Sequence, residues 1–316
     1  MKPYYEDDLV TLYHGDALIC AQSLPDGSVQ TIVTSPPYFG LRDYGADGQI
    51  GAEETLDEYV STLVALFSEL RRALADDGTL WLNLGDSYSA GARETKMPPL
   101  GKSAMRRRGG KGQSGPTKPG SNLPAKNLLG VPWRVAFALQ ADGWILRSDI
   151  IWAKPSPMPE SVADRPTKSH EYLFLLTKSP RYYYDSPAIA EDEAKGSAGS
   201  TFHTGKSATH QLGRASTKAR VDDGKRNKRS VWSIASAPFP GSHFAVYPPE
   251  LIRPCVLAGS RPGDVVLDPF SGSGTTGMVA NQEGRRYIGF DLNADYLDLS
   301  LRTRFAQPVL NLEVIS

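Results

Sequence analysis

The sequence predicts an α/β fold in which a mostly parallel sheet is covered by helices on both faces. Three observations carry this reading. Short apolar strands alternate with amphipathic helices along most of the chain. The C-terminal unit reads helix, strand, Gly-rich turn, helix, strand and helix without interruption. A chain of 316 residues, 40% hydrophobic and 22% charged, is long and apolar enough to bury one large core.

The elements follow in order. Leu9 to Tyr13 reads as a short strand, followed by Gly15 and Asp16. Val29 to Val33 is a second strand, ended by Pro36 and Pro37, which have no N–H to give a ladder. Leu56, Tyr59, Val60, Leu63, Phe67, Leu70 and Leu74 keep the 3.6-residue period and predict a helix over Thr55 to Ala75. Asp76, Asp77 and Gly78 then turn the chain into a strand from Thr79 to Leu84. Val131 to Gln140 reads as a helix, and Trp144 to Trp152 and Glu171 to Thr177 as strands, with Arg181 to Tyr184 extending a hairpin. The closing unit comprises a helix Pro249 to Ala258, a strand Asp264 to Leu267, a helix Thr275 to Gln282, a strand Arg286 to Phe290 and a last helix from Ala294.

Lys plus Arg and Asp plus Glu both number 35, so the formal charge is zero, but the charges are not evenly spread. Eight basic residues and no acid lie between Lys96 and Lys126, and nine basic residues face only Asp222 and Asp223 between Lys195 and Arg229. These stretches sit within Gly91 to Lys126 and Glu191 to Arg229, which are poor in apolar residues and predict mobile loops. Their charge suits a polyanion. Cys20 and Cys255 are too far apart in sequence for a metal-ligand pair or a disulfide framework, and the five histidines are scattered, so no metal is expected. The start MKPYYEDDLV has no basic-then-apolar leader, and no apolar run nears the roughly 20 residues that span a bilayer, so a cytoplasmic protein is expected.

Two motifs hold most of the chemistry. Asp268-Pro269-Phe270-Ser271-Gly272-Ser273-Gly274-Thr275-Thr276 leaves a strand and enters a helix. Gly272 and Gly274 let the backbone approach a ligand, and the helix start presents free amide donors, as in a nucleotide-binding turn. Asp291 ends the next strand, where a carboxylate can accept from both ribose hydroxyls. The turn lacks the Lys of a phosphate-binding loop and the Gly-x-Gly-x-x-Gly spacing of dinucleotide enzymes. The second motif, Thr34-Ser35-Pro36-Pro37-Tyr38, follows a strand at the carboxyl edge of the sheet, where sites of such folds gather. The Ser35 hydroxyl and the Pro36 carbonyl offer two acceptors for the two hydrogens of an amino group, Pro37 stiffens the turn, and Tyr38 supplies a ring to stack on a base.

Together TSPPY at 34–38 and DPFSGSGTT at 268–276 resemble the amino-group DNA methyltransferases, in the order that places the catalytic motif before the cofactor motif. HGDAL at 14–18, GTLWLNLGDSY at 78–88, IIWAKPSPMPES at 150–161, HFAVYPPEL at 243–251 and GFDLN at 289–293 extend the resemblance over most of the chain. It implies a seven-stranded Rossmann-like sheet and S-adenosyl-L-methionine as donor. Asp268, Pro269, Phe270, Gly272, Gly274, Thr275 and Thr276 would hold the methionine part, Asp291 the ribose and Asp16 the adenine end, with His243 and Pro248 completing the pocket. A serine at position 35 is similar to enzymes of cytosine N4, where an aspartate usually marks adenine N6. Cytosine N4 in duplex DNA is therefore the favoured target and adenine N6 the alternative. Methylation of RNA or protein amino groups, or a DNA-binding relict without chemistry, are further alternatives.

Within this resemblance the chain divides into a catalytic half (1–159, with the basic loop 91–126), a target-recognition region (160–236) and a cofactor-binding half (237–316). Lys102, Arg106, Arg107, Arg108 and Lys111 on the first loop, and Lys218, Arg220, Lys225, Arg226, Lys228 and Arg229 on the second, are the expected DNA-binding residues. A restriction endonuclease is a candidate partner. Attack on cytosine C5 would need a cysteine nucleophile; Cys255, among Leu251, Ile252, Val256 and Leu257, reads as core instead.

Overall fold

The computed structural model describes residues 1–40, 48–89, 123–192, 224–236 and 247–305. In chain order the strands are β1 (Tyr5–Glu6), β2 (Val10–His14), β3 (Val29–Thr34), β4 (Leu74–Leu84), β5 (Ile145–Ala153), β6 (His170–Thr177), β7 (Glu191–Asp192), β8 (Lys225–Arg226), β9 (Val231–Ser233), β10 (Val265–Asp268) and β11 (Arg286–Asp291). Nine of them form one sheet in the order β1-β2-β11-β10-β3-β4-β6-β5-β9, and β7 and β8 form a separate antiparallel ribbon. β2, β11, β10, β3 and β4 run parallel, β6 is antiparallel to β4 and β5, and β9 is parallel to β5. The mostly parallel α/β sheet is therefore present, with the short edge strands β1 and β9 added to seven longer ones.

Helices α1 (Ala17–Gln22), α2 (Leu56–Ala73) and α3 (Val131–Ala141) cover one face, and α4 (Pro249–Gly259), α5 (Thr275–Gln282) and α6 (Ala294–Ser300) the other. Alternate residues of a strand serve the two cores. Leu80 and Leu82 point to the α1–α3 side and Trp81 to the α4–α6 side; Phe174 and Leu176 oppose Leu173 and Leu175 in the same way. Burial on both faces explains the nearly continuous apolar run of β4 and β6. α2 begins with a reciprocal cap, in which the Thr55 hydroxyl accepts from the Glu58 N–H and the Glu58 carboxylate accepts from the Thr55 N–H. Among the described residues no helix is long and apolar enough to cross a membrane.

The structure departs from the expected elements in several places, among them the short strands β1 and β9 and the β7–β8 ribbon, which lies at the two ends of the segment Glu191 to Arg229 read as a loop. α1 is absent from the sequence reading because six residues give no periodic window; its signal is Asp16, whose carboxylate accepts from the N–H groups of Leu18 and Ile19. β4 starts at Leu74, directly after α2, and the segment read as a turn is an irregularity between the pairs Val29–Leu74 and Thr31–Thr79. Arg181 to Tyr184 form no strand. After Ser179-Pro180 the chain leaves the sheet, with the Tyr183 N–H donating to Asp77 O and the Asp185 N–H to Ala258 O. The strand expected from Glu171 to Thr177 is present as β6, which falls inside the 160–236 segment and pairs with both β4 and β5.

Gly259, the last residue of α4, shows how closely the second helical layer lies on the sheet. A Cβ there would stand 2.6 Å from the hydroxyls of Thr31 and Thr79 and 2.9 Å from the Trp81 indole nitrogen. Those three groups already bond one another. Gly259→Ala should therefore lower unfolding free energy by about 1–3 kcal/mol, the usual cost of overpacking. Urea unfolding measures it, and an unchanged midpoint would contradict this packing.

Candidate active site

The carboxyl ends of β2, β11, β10, β3 and β4 lie side by side, and the described motif residues sit on them. β2 leads to Asp16, β11 ends in Asp291, β10 in Asp268, and β3 in Thr34, directly before Ser35. The two motifs meet where β10 pairs with β3, the point at which the chain order along the sheet reverses.

Asp268 joins them. Its carboxylate is almost wholly buried and takes four donors: the Thr34 hydroxyl (2.6 Å) and the Phe270 N–H (3.0 Å) on Oδ1, and the hydroxyls of Tyr247 (2.8 Å) and Thr276 (2.7 Å) on Oδ2. Burial pushes its pKa above the ordinary carboxylate value, against the lowering effect of these donors. With both oxygens engaged, the side chain connects β3, the turn and α5. Burial and the Asp268 charge push the Tyr247 phenol well above its usual range.

The two glycines of the turn do different work. Gly272 has φ +50°, and a Cβ there would meet nothing closer than Phe270 O at 3.9 Å, so its open side faces free space. Gly274 has φ +77°, but its Cβ would come within 2.8 Å of Ser300 Cβ and 3.0 Å of the Phe305 ring. Gly274 is therefore required for packing and for the left-handed turn. It is also the N-cap of α5, and no side chain caps that helix. The Thr275 hydroxyl in the first turn is buried and has no hydrogen-bond partner. An uncapped helix start, an orphaned hydroxyl and an open glycine fit the polar end of a nucleotide-like donor.

Asp291 closes the other side. Its carboxylate accepts from the Gly272 N–H (2.7 Å) and the Asn293 N–H (2.8 Å), and burial raises its pKa to about 6 despite those bonds. The Gly15 N–H donates to Asp291 O, which brings Asp16 to the same corner. Asp16 is occupied as the cap of α1 through Oδ1. Pro248 is buried as the N-cap of α4, while His243 lies outside the described residues.

On the catalytic turn Pro36 is buried and Ser35 half-buried. The Pro37 carbonyl accepts from the Tyr59 hydroxyl at 2.9 Å, which anchors the turn to α2. The Tyr38 hydroxyl donates to Glu171 Oε2 at 2.7 Å and lies 3.2 Å from Asn83 Oδ1 and 3.4 Å from the Ser35 hydroxyl. Lys154 pairs with the other oxygen of Glu171. Burial and the Glu171 charge push the Tyr38 phenol well above its usual range.

Thr34, Asn83, Lys154 and Glu171 belong to the site but had no individual role in the sequence reading, and Tyr247 entered it only as part of the span from His243 to Pro248. Asn83, Lys154 and Tyr247 stand inside the quoted segments LNLGD, IIWAKPSPMPES and HFAVYPPEL, whereas Glu171 showed only as a strand residue.

The expected DNA contacts divide. Lys102, Arg106, Arg107, Arg108, Lys111, Lys218 and Arg220 lie outside the described residues. The roots of the first basic segment are visible: the Ser89 hydroxyl donates to Leu123 O and the Ser89 N–H to Asn127 O, just beyond the carboxyl end of β4. Arg226 and Arg229 both bond Glu191, at 3.0 and 2.5 Å, and so brace the β7–β8 ribbon. Lys228 lies over the Trp232 ring, 5.0 Å from its centroid, and Lys225 is exposed. Cys255 is fully buried, and burial pushes its thiol pKa up, opposite to what a nucleophile needs.

An open Gly-rich turn beside the Thr34–Tyr38 turn, at the switch point of a doubly wound sheet, is the arrangement of a donor-using α/β transferase. A model of the DNA methylase family matches residues 29–302, and the chain belongs to that family of enzymes, which methylate base amino groups at N6 or N4. The chain is 50% identical over 295 residues to Type II methyltransferase M.Cfr9I of Citrobacter freundii, covering 92% of this chain and 86% of that protein. It is 49% identical over 286 residues to Type II methyltransferase M.SmaI of Serratia marcescens, covering 90% and 87%. Among solved structures it resembles the PvuII DNA methyltransferase (cytosine-N4-specific), with TM-score 0.65 and 20% identity over 98% of this chain and 90% of that one. A DNA modification methylase of Thermus thermophilus, complexed with S-adenosyl-L-methionine, gives TM-score 0.53 and 22% identity over 92% of each chain. At these identities the structural likenesses establish a shared fold.

Asp291 makes a pH prediction. Its folded pKa is raised, so the folded state holds the proton more tightly; the resulting stability is complete below the unfolded carboxylate pKa of about 4 and is lost as pH rises through about 6. Relative to Asp291→Asn, the wild type should lose on the order of 3 kcal/mol between roughly pH 4 and pH 7. Urea unfolding of both proteins across that range tests this, and a pH-independent difference would refute it.

Proposed function

We propose that the chain transfers a methyl group from S-adenosyl-L-methionine to the exocyclic N4 of cytosine within a specific sequence of duplex DNA, as a Type II methyltransferase. The observation that carries the reading is the bond between Thr34 and Asp268. It ties the residue before Ser35 to the first residue of the Gly-rich turn, which supports a Ser35 hydroxyl, an acceptor of the kind associated with cytosine N4, acting next to a donor held by that turn. Relatives named Type II methyltransferases and a neighbour named cytosine-N4-specific support it.

The bound donor supplies an electrophilic methyl group on a sulfonium. The chain's own residues do the rest. Gly272, Thr275 and the start of α5 receive the methionine end; Pro269 and Phe270 wall the turn. Asp291 accepts from the ribose and Asp16 serves the adenine end, with the segment from His243 to Pro248 contributing to the rest of the pocket. The amine's lone pair is delocalised into the base ring, so its hydrogens must be drawn out of the ring plane. Ser35 Oγ and the Pro36 carbonyl accept them, which turns the lone pair toward the methyl carbon. Pro37 holds the turn rigid and Tyr38 stacks on the base. One amine proton leaves to solvent, directly or through Ser35.

The target base must leave the helix, at a cost of a few kcal/mol. Lys102, Arg106, Arg107, Arg108 and Lys111 contact phosphates near the site. The 160–236 segment selects the sequence, with Lys218, Arg220, Lys225 and Lys228 as its contacts; Arg226 and Arg229 act mainly by bracing the ribbon. A restriction endonuclease reading the same sequence is the expected partner.

Unmodified DNA incubated with protein and donor, digested to nucleosides and resolved by chromatography and mass spectrometry, should yield N4-methylcytosine; N6-methyladenine instead would overturn the cytosine assignment. Ser35→Ala should lower kcat by at least about 10²-fold, the scale of losing one transition-state acceptor, with donor affinity little changed. Gly272→Val, which puts a branched side chain at φ +50°, should abolish donor binding in a calorimetric titration. Full activity in Ser35→Ala would remove the basis of the reading.

A further inference from the structure

We infer that Glu171, held in place by Lys154, is a positioning residue that sets the Tyr38 ring for the target base, and that it works as a fixed hydrogen-bond acceptor and not as a base. The inference rests on the reading above, in which Tyr38 stacks on the base.

Tyr38 comes from the turn after β3, yet its hydroxyl reaches past β4 to the first residues of β6. There it donates to Glu171 Oε2 at 2.7 Å, the length of a charge-assisted bond, which is roughly twice as strong as a neutral one. Asn83 on β4 flanks the same hydroxyl at 3.2 Å and is itself fixed by donating to Tyr172 O at 3.0 Å. Along its side the ring lies against Gly85, where a Cβ would stand 2.5 Å from Tyr38 Cε2. The ring is thus pinned at its hydroxyl and along its edge, which leaves it one orientation to offer a base.

Glu171 is just as firmly placed. Its second oxygen pairs with the Lys154 ammonium, and both side chains are mostly buried, 21% and 15% exposed for Lys154 and Glu171. The Lys154 ammonium lies over the Trp152 ring, 4.2 Å from its centroid, and the Lys154 N–H donates to Ser169 O at 2.7 Å, tying β5 to the entry of β6. Both carboxylate oxygens are therefore in use. A proton path from the amine would have to pass from Ser35 to Tyr38 across 3.4 Å, at the long limit of a hydrogen bond, before reaching Glu171. Holding the ring needs no such step.

The test compares Glu171→Gln, which keeps an acceptor oxygen for Tyr38, with Glu171→Leu, which removes it, and with Tyr38→Phe, which keeps the ring and removes the hydroxyl. Positioning predicts that Glu171→Leu and Tyr38→Phe lower kcat by a similar factor, about 10²-fold for a misplaced reacting group, with little change in KM for DNA or in donor affinity. Glu171→Gln should recover most of that loss. With 2-aminopurine at the mapped target position of a duplex, the Leu variant should leave the everted base brighter than the wild type does, because it is stacked less closely. A Gln variant as impaired as Leu would indicate proton transfer, and a Leu variant with wild-type kcat would indicate no role; either result overturns the inference. Should Glu171→Leu fail to bind donor, Tyr38→Phe provides the same comparison. Retained activity in Tyr38→Ala would instead sink the stacking reading itself.

Discussion

The structure depends most on the buried carboxylate of Asp268. A charge taken out of water is costly unless it is paired or fully hydrogen-bonded, and here four donors from β3, from the segment before α4, from the turn and from α5 meet that need. The donors come from sequence positions as distant as Thr34 and Thr276, so the bonds form only when the N-terminal and C-terminal halves of the chain have assembled into one sheet. Loss of any one donor would leave a buried oxygen short of a partner, and the same contact that completes the fold fixes the distance between the two motifs.

Placement of the chemistry follows from that contact and from the direction of the strands. Parallel strands end on the same edge, so Asp16, Asp291, Asp268 and Ser35 are delivered to one line without further arrangement. β6 and β5 add to this in a different way. Because β6 runs antiparallel to β4, its first residues, His170 and Glu171, arrive at the edge where the parallel strands finish. The end of β5 brings Lys154 there as well. Reversing a single strand thus places an acidic residue opposite Tyr38, where a uniformly parallel sheet would have presented the start of a strand on the far side.

How much of this is legible in the sequence depends on the range of the interaction. The α5 boundaries and the two motifs are local patterns, and Thr275–Gln282 stands in the structure with the limits its period and glycines imply. The roles of Gly272 and Gly274 look identical in sequence. They separate only when Ser300 and Phe305 are seen packed against the second glycine. The resemblance alone assigns Asp268 and Asp16 to the donor, and nothing local shows that the first also gathers four protein donors and the second caps a helix, facts that depend on Tyr247, Thr34 and α1. Glu171 gave no signal at all: it is one polar residue at the start of an apolar strand, and its meaning comes from strand order. The basic residues show the same limit, since charge counting cannot distinguish Arg226 and Arg229, paired with Glu191, from a cation that faces solvent.

Geometry also gives the first basic segment a definite root. Ser89 and Leu123 bond each other within a few residues of Gly85, and Gly85 touches the Tyr38 ring. The described residues on either side of 90–122 are thus tethered at the edge that, on the proposed function, accepts an everted base. Such tethering matters because base eversion and phosphate attraction act on the same nucleotide: unstacking costs a few kcal/mol, and neutralising nearby phosphates releases counterions that offset the cost in a salt-dependent way. A protein of zero net charge would gain nothing from its overall field. On the proposed function, cations carried between Ser89 and Leu123 would direct the attraction to the position where the strand has to be distorted, and the rest of the sequence holds the compensating acidic excess.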